Sequence, residues 1–119
     1  MATKGFTYNN AGFDNTLLFK WVDLADGDDG EPMSASAFAD KTVQAVPSPV
    51  AGSFGGGAVV IEGSHDKVNW ATLSDLQGNS LSLNNTRLEV VPEHPLWLRP
   101  RVSSGSGVKL DVYVLVKGS

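Results

Sequence analysis

Val108-Lys109-Leu110-Asp111-Val112-Tyr113-Val114-Leu115-Val116 alternates apolar and mixed positions without a break. Val108, Leu110, Val112, Val114 and Val116 fall on one face, and Lys109, Asp111, Tyr113 and Leu115 on the other. Period-two spacing with β-branched residues suits a pleated, half-buried strand and not a helical stripe. Just upstream, Leu96, Leu98, Pro100 and Val102 alternate with Trp97, Arg99 and Arg101. Proline has no amide to donate, so this second strand is expected at a sheet edge or interrupted by a bulge near Pro100. Ser103-Ser104-Gly105-Ser106-Gly107 joins the two runs and reads as a β-hairpin connector. Further outward, short strands are expected at 17–22, 41–46, 58–62, 70–73, 80–83 and 88–91, with glycine- and asparagine-bearing turns between them. Such regular punctuation indicates an all-β fold, an antiparallel sandwich or barrel. Residues 32–40, opening with Pro32, carry the one helical suggestion, at most one short helical turn.

The remaining composition sets bounds. A chain of 119 residues makes one domain and can bury a core without disulfide or metal staples. There is no cysteine, which excludes a disulfide framework, a zinc ribbon and a thiol nucleophile. A net charge of -4 argues against a nucleic-acid footprint. The sequence shows neither a secretory h-region nor an apolar run long enough to span a bilayer, so a soluble protein made in the cytoplasm is expected, with no membrane partner. Residues 1–15, with Phe6, Tyr8 and Phe13 among asparagines and glycines, form a separate zone, an arm or an added strand; residues 16–119 form the sandwich.

Reactive chemistry is sparse. Ser64-His65-Asp66 holds the residue types of a hydrolytic triad, but neighbours on an extended chain point apart, so a polar loop is expected. His94, between Pro92 and Pro95, reads as an exposed loop residue. Five carboxylates, Asp23, Asp26, Asp28, Asp29 and Glu31, crowd one stretch that does not follow the EF-hand pattern; a solvated acidic loop is expected, with a loose calcium site the rival reading. Nothing groups the ligands of a transition metal, and Gly52-Ser53-Phe54-Gly55-Gly56-Gly57 lacks the lysine and following helix of a phosphate cradle. No cofactor and no catalytic residue are therefore expected. The aromatic residues are more telling: Trp70 follows a turn and is expected to cap the core, whereas Trp97 shares a face with Arg99 and Arg101, the composition of a binding hot spot. Phe6, Tyr8, Trp97, Arg99 and Arg101 are the interface candidates.

From Trp21 onward, the order of motifs resembles small phage virion proteins encoded near the major capsid protein. The resemblance is carried by Leu24-Ala25-Asp26-Gly27-Asp28-Asp29-Gly30, Phe38-Ala39-Asp40-Lys41-Thr42-Val43-Gln44 and Gly52-Ser53-Phe54-Gly55-Gly56-Gly57. Val60-Ile61-Glu62-Gly63-Ser64-His65-Asp66 with Trp70, Leu73-Ser74-Asp75-Leu76-Gln77-Gly78-Asn79 and Leu98-Arg99-Pro100 complete it. It implies a capsid decoration or cement protein, a jelly-roll-like β-sandwich on the outer shell of the virion, a homo-oligomer with a trimer favoured, and the major capsid protein as partner. Residues 1–15 fall outside it.

Two rival readings stand beside this one. Ile61-Glu62-Gly63-Ser64-His65-Asp66 with Trp70 also resembles a hairpin of discoidin-like sugar-binding domains, which implies a carbohydrate-binding module on a tail fibre or cell-surface assembly. A head-tail connector or tail component is the other.

Overall fold

The computed structural model describes residues 2–10, 16–36, 38 and 40–118, and strand is the only regular structure among them. Twelve strands follow in chain order: β1 (Thr3–Lys4), β2 (Phe6–Asn10), β3 (Thr16–Leu24), β4 (Asp29–Gly30), β5 (Met33–Ser34), β6 (Asp40–Pro47), β7 (Ala58–Ser64), β8 (Ala71–Thr72), β9 (Ser82–Leu83), β10 (Leu88–Val90), β11 (Trp97–Ser104) and β12 (Leu110–Lys117). A seven-stranded sheet runs β1-β4-β11-β7-β8, with β5 also paired to β11 and β9 to β7. The second sheet has five strands, β10-β6-β12-β3-β2. The fold is thus an all-β, jelly-roll-like sandwich, antiparallel apart from the parallel pairing of β1 with β4.

Alternation builds the core. Leu110, Val112, Val114 and Val116 of β12 are fully buried between the sheets, together with Trp21 of β3, Val43 of β6, Ile61 of β7 and Leu98 of β11. Lys41 is a buried polar residue on this inner face: it runs its stem along the core and brings Nζ out to the Phe38 carbonyl (3.2 Å) and His94 Nδ1 (3.3 Å). Desolvation holds the Lys41 ammonium below its ordinary pKa.

Two local expectations are corrected. Residues 103–107 do not close a hairpin, because β11 belongs to the seven-stranded sheet and β12 to the five-stranded one; the connector crosses the sandwich. The register slips between Val102 and Ser104, which turns the chain out of its sheet. The Asp26 carboxylate then accepts the amides of Gly107 (3.0 Å) and Val108 (2.8 Å), fixing the entry into β12. The glycine-rich run at 52–57 makes the corresponding crossing from β6 to β7, and the two crossings press together: a Cβ on Gly57 would lie 2.0 Å from the Ser104 carbonyl oxygen.

Pro100, in turn, is in a central strand. β11 is flanked by β7 on one side and by β4 and β5 on the other. Ile61, opposite Pro100, directs its N–H to Leu81 and its carbonyl to Leu73, so the Pro100 nitrogen points away from β7. There it meets the gap between β4 and β5, where no ladder bond is demanded. Gly30 makes room for the ring: a Cβ there would stand 2.6 Å from Pro100 Cδ and 2.6 Å from Trp21 Nε1. In the region 32–40, strand β5 is followed by a single turn bonded from Phe38 N–H to the Ala35 carbonyl (3.2 Å), within the at most one short helical turn expected there; Ala37 and Ala39 lie outside the described residues.

Residues 2–10 bind both sheets. β1 extends the seven-stranded sheet, Gly5 turns the corner, and β2 adds to β3 at the edge of the five-stranded sheet. Residues 11–15, Phe13 among them, lie outside the described residues.

Candidate interaction surface

Strand alternation sets Trp97, Arg99 and Arg101 on the outer face of the seven-stranded sheet, opposite Ser64, Glu62 and Val60 of β7. Glu62 is almost entirely covered, and each carboxylate oxygen accepts from one arginine: Arg99 Nε at 3.0 Å and Arg101 Nε at 2.9 Å. Arg99 also donates from a terminal nitrogen to Asp29 (3.2 Å), whose other oxygen accepts from the Thr3 hydroxyl (2.7 Å). The arginines are therefore held straight and side by side by one buried acid.

The loop between β7 and β8 lays two more side chains on this face. Asp66 accepts from the backbone amides of Val68 (2.9 Å) and Asn69 (2.8 Å) and from the Asn69 and Ser64 side chains. These bonds, the Asn69 amide foremost, hold its carboxyl far below the ordinary range. Thus folded, the loop presents Lys67 Nζ 3.7 Å over the Trp97 ring and Trp70 under the Arg99 guanidinium at 4.0 Å. Trp70, whose indole N–H donates to the Lys67 carbonyl (3.2 Å), accordingly does not cap the core; it is part of the outer face. Sequence spacing identified Trp97, Arg99 and Arg101 as sharing a face but missed Glu62, Asp29 and Lys67. The signal for Glu62 was a single charge within an apolar run, Val59-Val60-Ile61-Glu62.

Phe6 and Tyr8 occupy a different place. Their rings lie on the inner-face side of β2: Phe6 meets Phe19 and Trp21 edge-on at 5.3 and 5.7 Å, and Tyr8 stacks on Phe19 at 5.4 Å while remaining 63% exposed. The five interface candidates therefore form two surfaces. Phe6 belongs with the core and only Tyr8 presents its ring to solvent.

The acidic stretch is not a freely solvated loop. Asp28 is buried and accepts from the Ala2 and Ala25 amides, Asp26 fixes the β12 entry, Asp29 binds Arg99 and Thr3, and Glu31 lies beside the Phe6 amide. With its carboxylates dispersed in this way, no group of three or more acidic or histidine side chains among the described residues is placed to hold a metal ion. In Ser64-His65-Asp66 the acid binds the serine hydroxyl (2.8 Å), while His65 Nδ1 faces the Leu96 amide (3.3 Å), so no relay through the imidazole exists. A cleft of about 330 Å3 at this end is lined by Ser64, His65, Asn69, Glu93, His94 and Pro95, among others. No helix long and apolar enough to cross a membrane occurs among the described residues.

No protein-family model and no curated protein sequence matches the chain. Among solved structures it is similar to the SPBc2 prophage-derived protein YomS, with 14% identity and a TM-score of 0.62 over 90% of this chain and 98% of that one. It is also similar to an RmlC-like cupin protein from Desulfovibrio desulfuricans (9% identity, TM-score 0.50, 94% of this chain and 81% of that one). A third similar structure is Peruvianin-I, a cysteine peptidase from Thevetia peruviana latex (16% identity, TM-score 0.53, 95% of this chain and 60% of that one). At these identities the likeness is one of fold.

Proposed function

We propose that this chain is a phage virion structural protein of the capsid-decoration type, which binds the outer surface of the major capsid protein shell and stabilises it without catalysis or cofactor. The observation that carries the proposal is the end-to-end likeness to a prophage-derived chain of nearly the same extent, 98% of which is covered. The surface agrees with an attachment role: Trp97, Arg99 and Arg101 are preoriented by Glu62 and Asp29, so little side-chain freedom remains to be lost on docking. Repetition over a symmetric shell would multiply such modest contacts into avidity.

Binding to capsids stripped of decoration tests the reading. Trp97→Ala and Tyr8→Ala should each weaken attachment with thermal unfolding still cooperative. Deleting residues 2–10 is unsuitable, because it removes both strands that close the sandwich edge. Parent-like decoration by both variants would refute the assignment of these surfaces. Low copy number in purified virions, a dozen or fewer, would move the role to a connector or fibre.

The cleft at the Ser64–Asn69 loop favours a second reading, a carbohydrate-binding module, since Ser64, His65, Asn69, Glu93 and His94 line it with polar side chains suited to sugar hydroxyls. Against it, Lys67 covers one face of Trp97 and Arg99 one face of Trp70, which leaves less bare ring for a sugar to stack upon. A defined hit on a glycan array would select this reading, and silence would reject it.

A further inference from the structure

The outer face of the five-stranded sheet is independent of the surface just described. Cross-strand register lays two complete rows across it: Leu88, Gln44, Tyr113, Lys20 and Thr7, then Val90, Thr42, Leu115, Leu18 and Asn9. Lys20 is the single charge in these rows. Leu88, Val90 and Leu115 are 66%, 43% and 41% exposed, and the centre forms a shallow groove of about 540 Å3. Among the described residues of β3, β6 and β12, opposite charges pair toward the two ends. Lys20 Nζ is 4.0 Å from Asp111, whose carboxylate is buried under Ser48, while Lys117 stands opposite Asp40.

We infer that this face binds a second copy of the same chain, sheet against sheet, about a two-fold axis that runs across the strands. Three observations select that occupant. First, the chain carries a net charge of -4, and copies repel each other least across a face whose two rows carry Lys20 alone and whose described end pairs, Lys20 with Asp111 and Lys117 with Asp40, are each neutral. Second, the outward residues of β12 read Asp111, Tyr113, Leu115, Lys117. Reversing one copy sets Tyr113 against Leu115 of the other, twice over, and carries each Lys117 to the neutral Lys20–Asp111 end. A parallel stacking would set Lys117 against Lys117. Such reciprocity is the mark of an isologous contact. Third, the five strands present roughly 500 Å2 of sheet per copy, from a spacing of about 4.8 Å and a rise of about 3.4 Å per residue. The pair therefore buries on the order of 1,000 Å2, enough for a specific interface of modest strength.

Sedimentation velocity and light scattering on the full chain test this. At about 100 µM, a concentration suited to an interface of this size, the mass should be twice the 12.6 kDa of one copy. Leu115→Glu and Leu88→Glu each place a carboxylate in the apolar groove that the second copy would cover and should raise the dimer dissociation constant about thirtyfold or more. Both positions are solvent-exposed in the single chain, so far-UV circular dichroism and cooperative melting should be unchanged. Trp97→Ala, on the opposite sheet, should leave the dimer intact. A monomer at that concentration, a trimer, or a dimer that survives both glutamates would overturn the inference.

Discussion

Glu62→Gln keeps the shape of the acid and removes its charge, so it isolates what the buried carboxylate contributes to the outer face. The Glu62 side chain is 7% exposed, Arg99 18% and Arg101 38%. A hydrogen bond to a charged, mostly buried partner contributes about 1.5–3 kcal/mol, which places the Arg99 arm at about 2 kcal/mol. The Arg101 arm is screened by solvent and is worth about 0.5–1 kcal/mol. Their sum is about 2–3 kcal/mol. For a chain of 119 residues, an unfolding entropy of about 2.1 cal/mol/K per residue converts that loss to a fall in Tm of roughly 8–12 °C. Thermal and urea unfolding of Glu62→Gln, Arg99→Gln, Arg101→Gln and the two double variants with Glu62→Gln closes two cycles. Coupling of about 1.5–2 kcal/mol is expected with Arg99, and below about 1 kcal/mol with Arg101. A fall in Tm of less than about 3 °C for Glu62→Gln, or stronger coupling to Arg101 than to Arg99, would refute the account of this face as organised by one buried acid.

Gly57→Ala should destabilise by about 2–3 kcal/mol, because its Cβ would overlap the Ser104 carbonyl where the two crossings touch. Gly56→Ala meets open space and pays only for its φ of +68°, about 1 kcal/mol, so urea midpoints should rank it clearly above Gly57→Ala. Asp26 is held below its ordinary 3.8 by the Val108 amide and then the Gly107 amide. Its contribution to stability is accordingly complete above the unfolded pKa and is lost as pH falls through the lower folded one. In urea titrations from neutral to strongly acid pH, the gap between parent and Asp26→Asn should be constant above about pH 5 and should close as pH falls below 3.8.

How much of this was readable in the chain depends on which physics sets each feature. The alternation of β12 and of β11 is local, because side-chain direction in a strand follows from the pleat alone, and the outward placement of Trp97, Arg99 and Arg101 followed from it. Pairing partners are not local. Residues 103–107 have the composition of a hairpin, yet a one-residue slip at Val102 and a carboxylate from Asp26, far away in sequence, send β12 to the other sheet. Trp70 was misread for the same reason: its place depends on the Asp66-centred loop and on Arg99, which no spacing rule connects to it. The acidic stretch looked like a solvated run because composition reports charges without their partners; the amides that it binds, of Ala2, of Ala25 and of the adjacent Gly107 and Val108, lie in three separate places.

The proline in the middle of β11 has a consequence for how this sequence can change over time. Replacing Pro100 with any other residue creates an N–H aimed at the gap between β4 and β5. Replacing Gly30 drives a methyl group into the ring of Pro100 and the indole nitrogen of Trp21. Trp21 in turn is tied to the backbone that makes the gap, through its N–H on the Glu31 carbonyl at 3.1 Å. The three positions are a linked set in which each is the selective environment of the others, so single steps away from any one are disfavoured and departures are expected to arise together, as correlated replacements along a lineage.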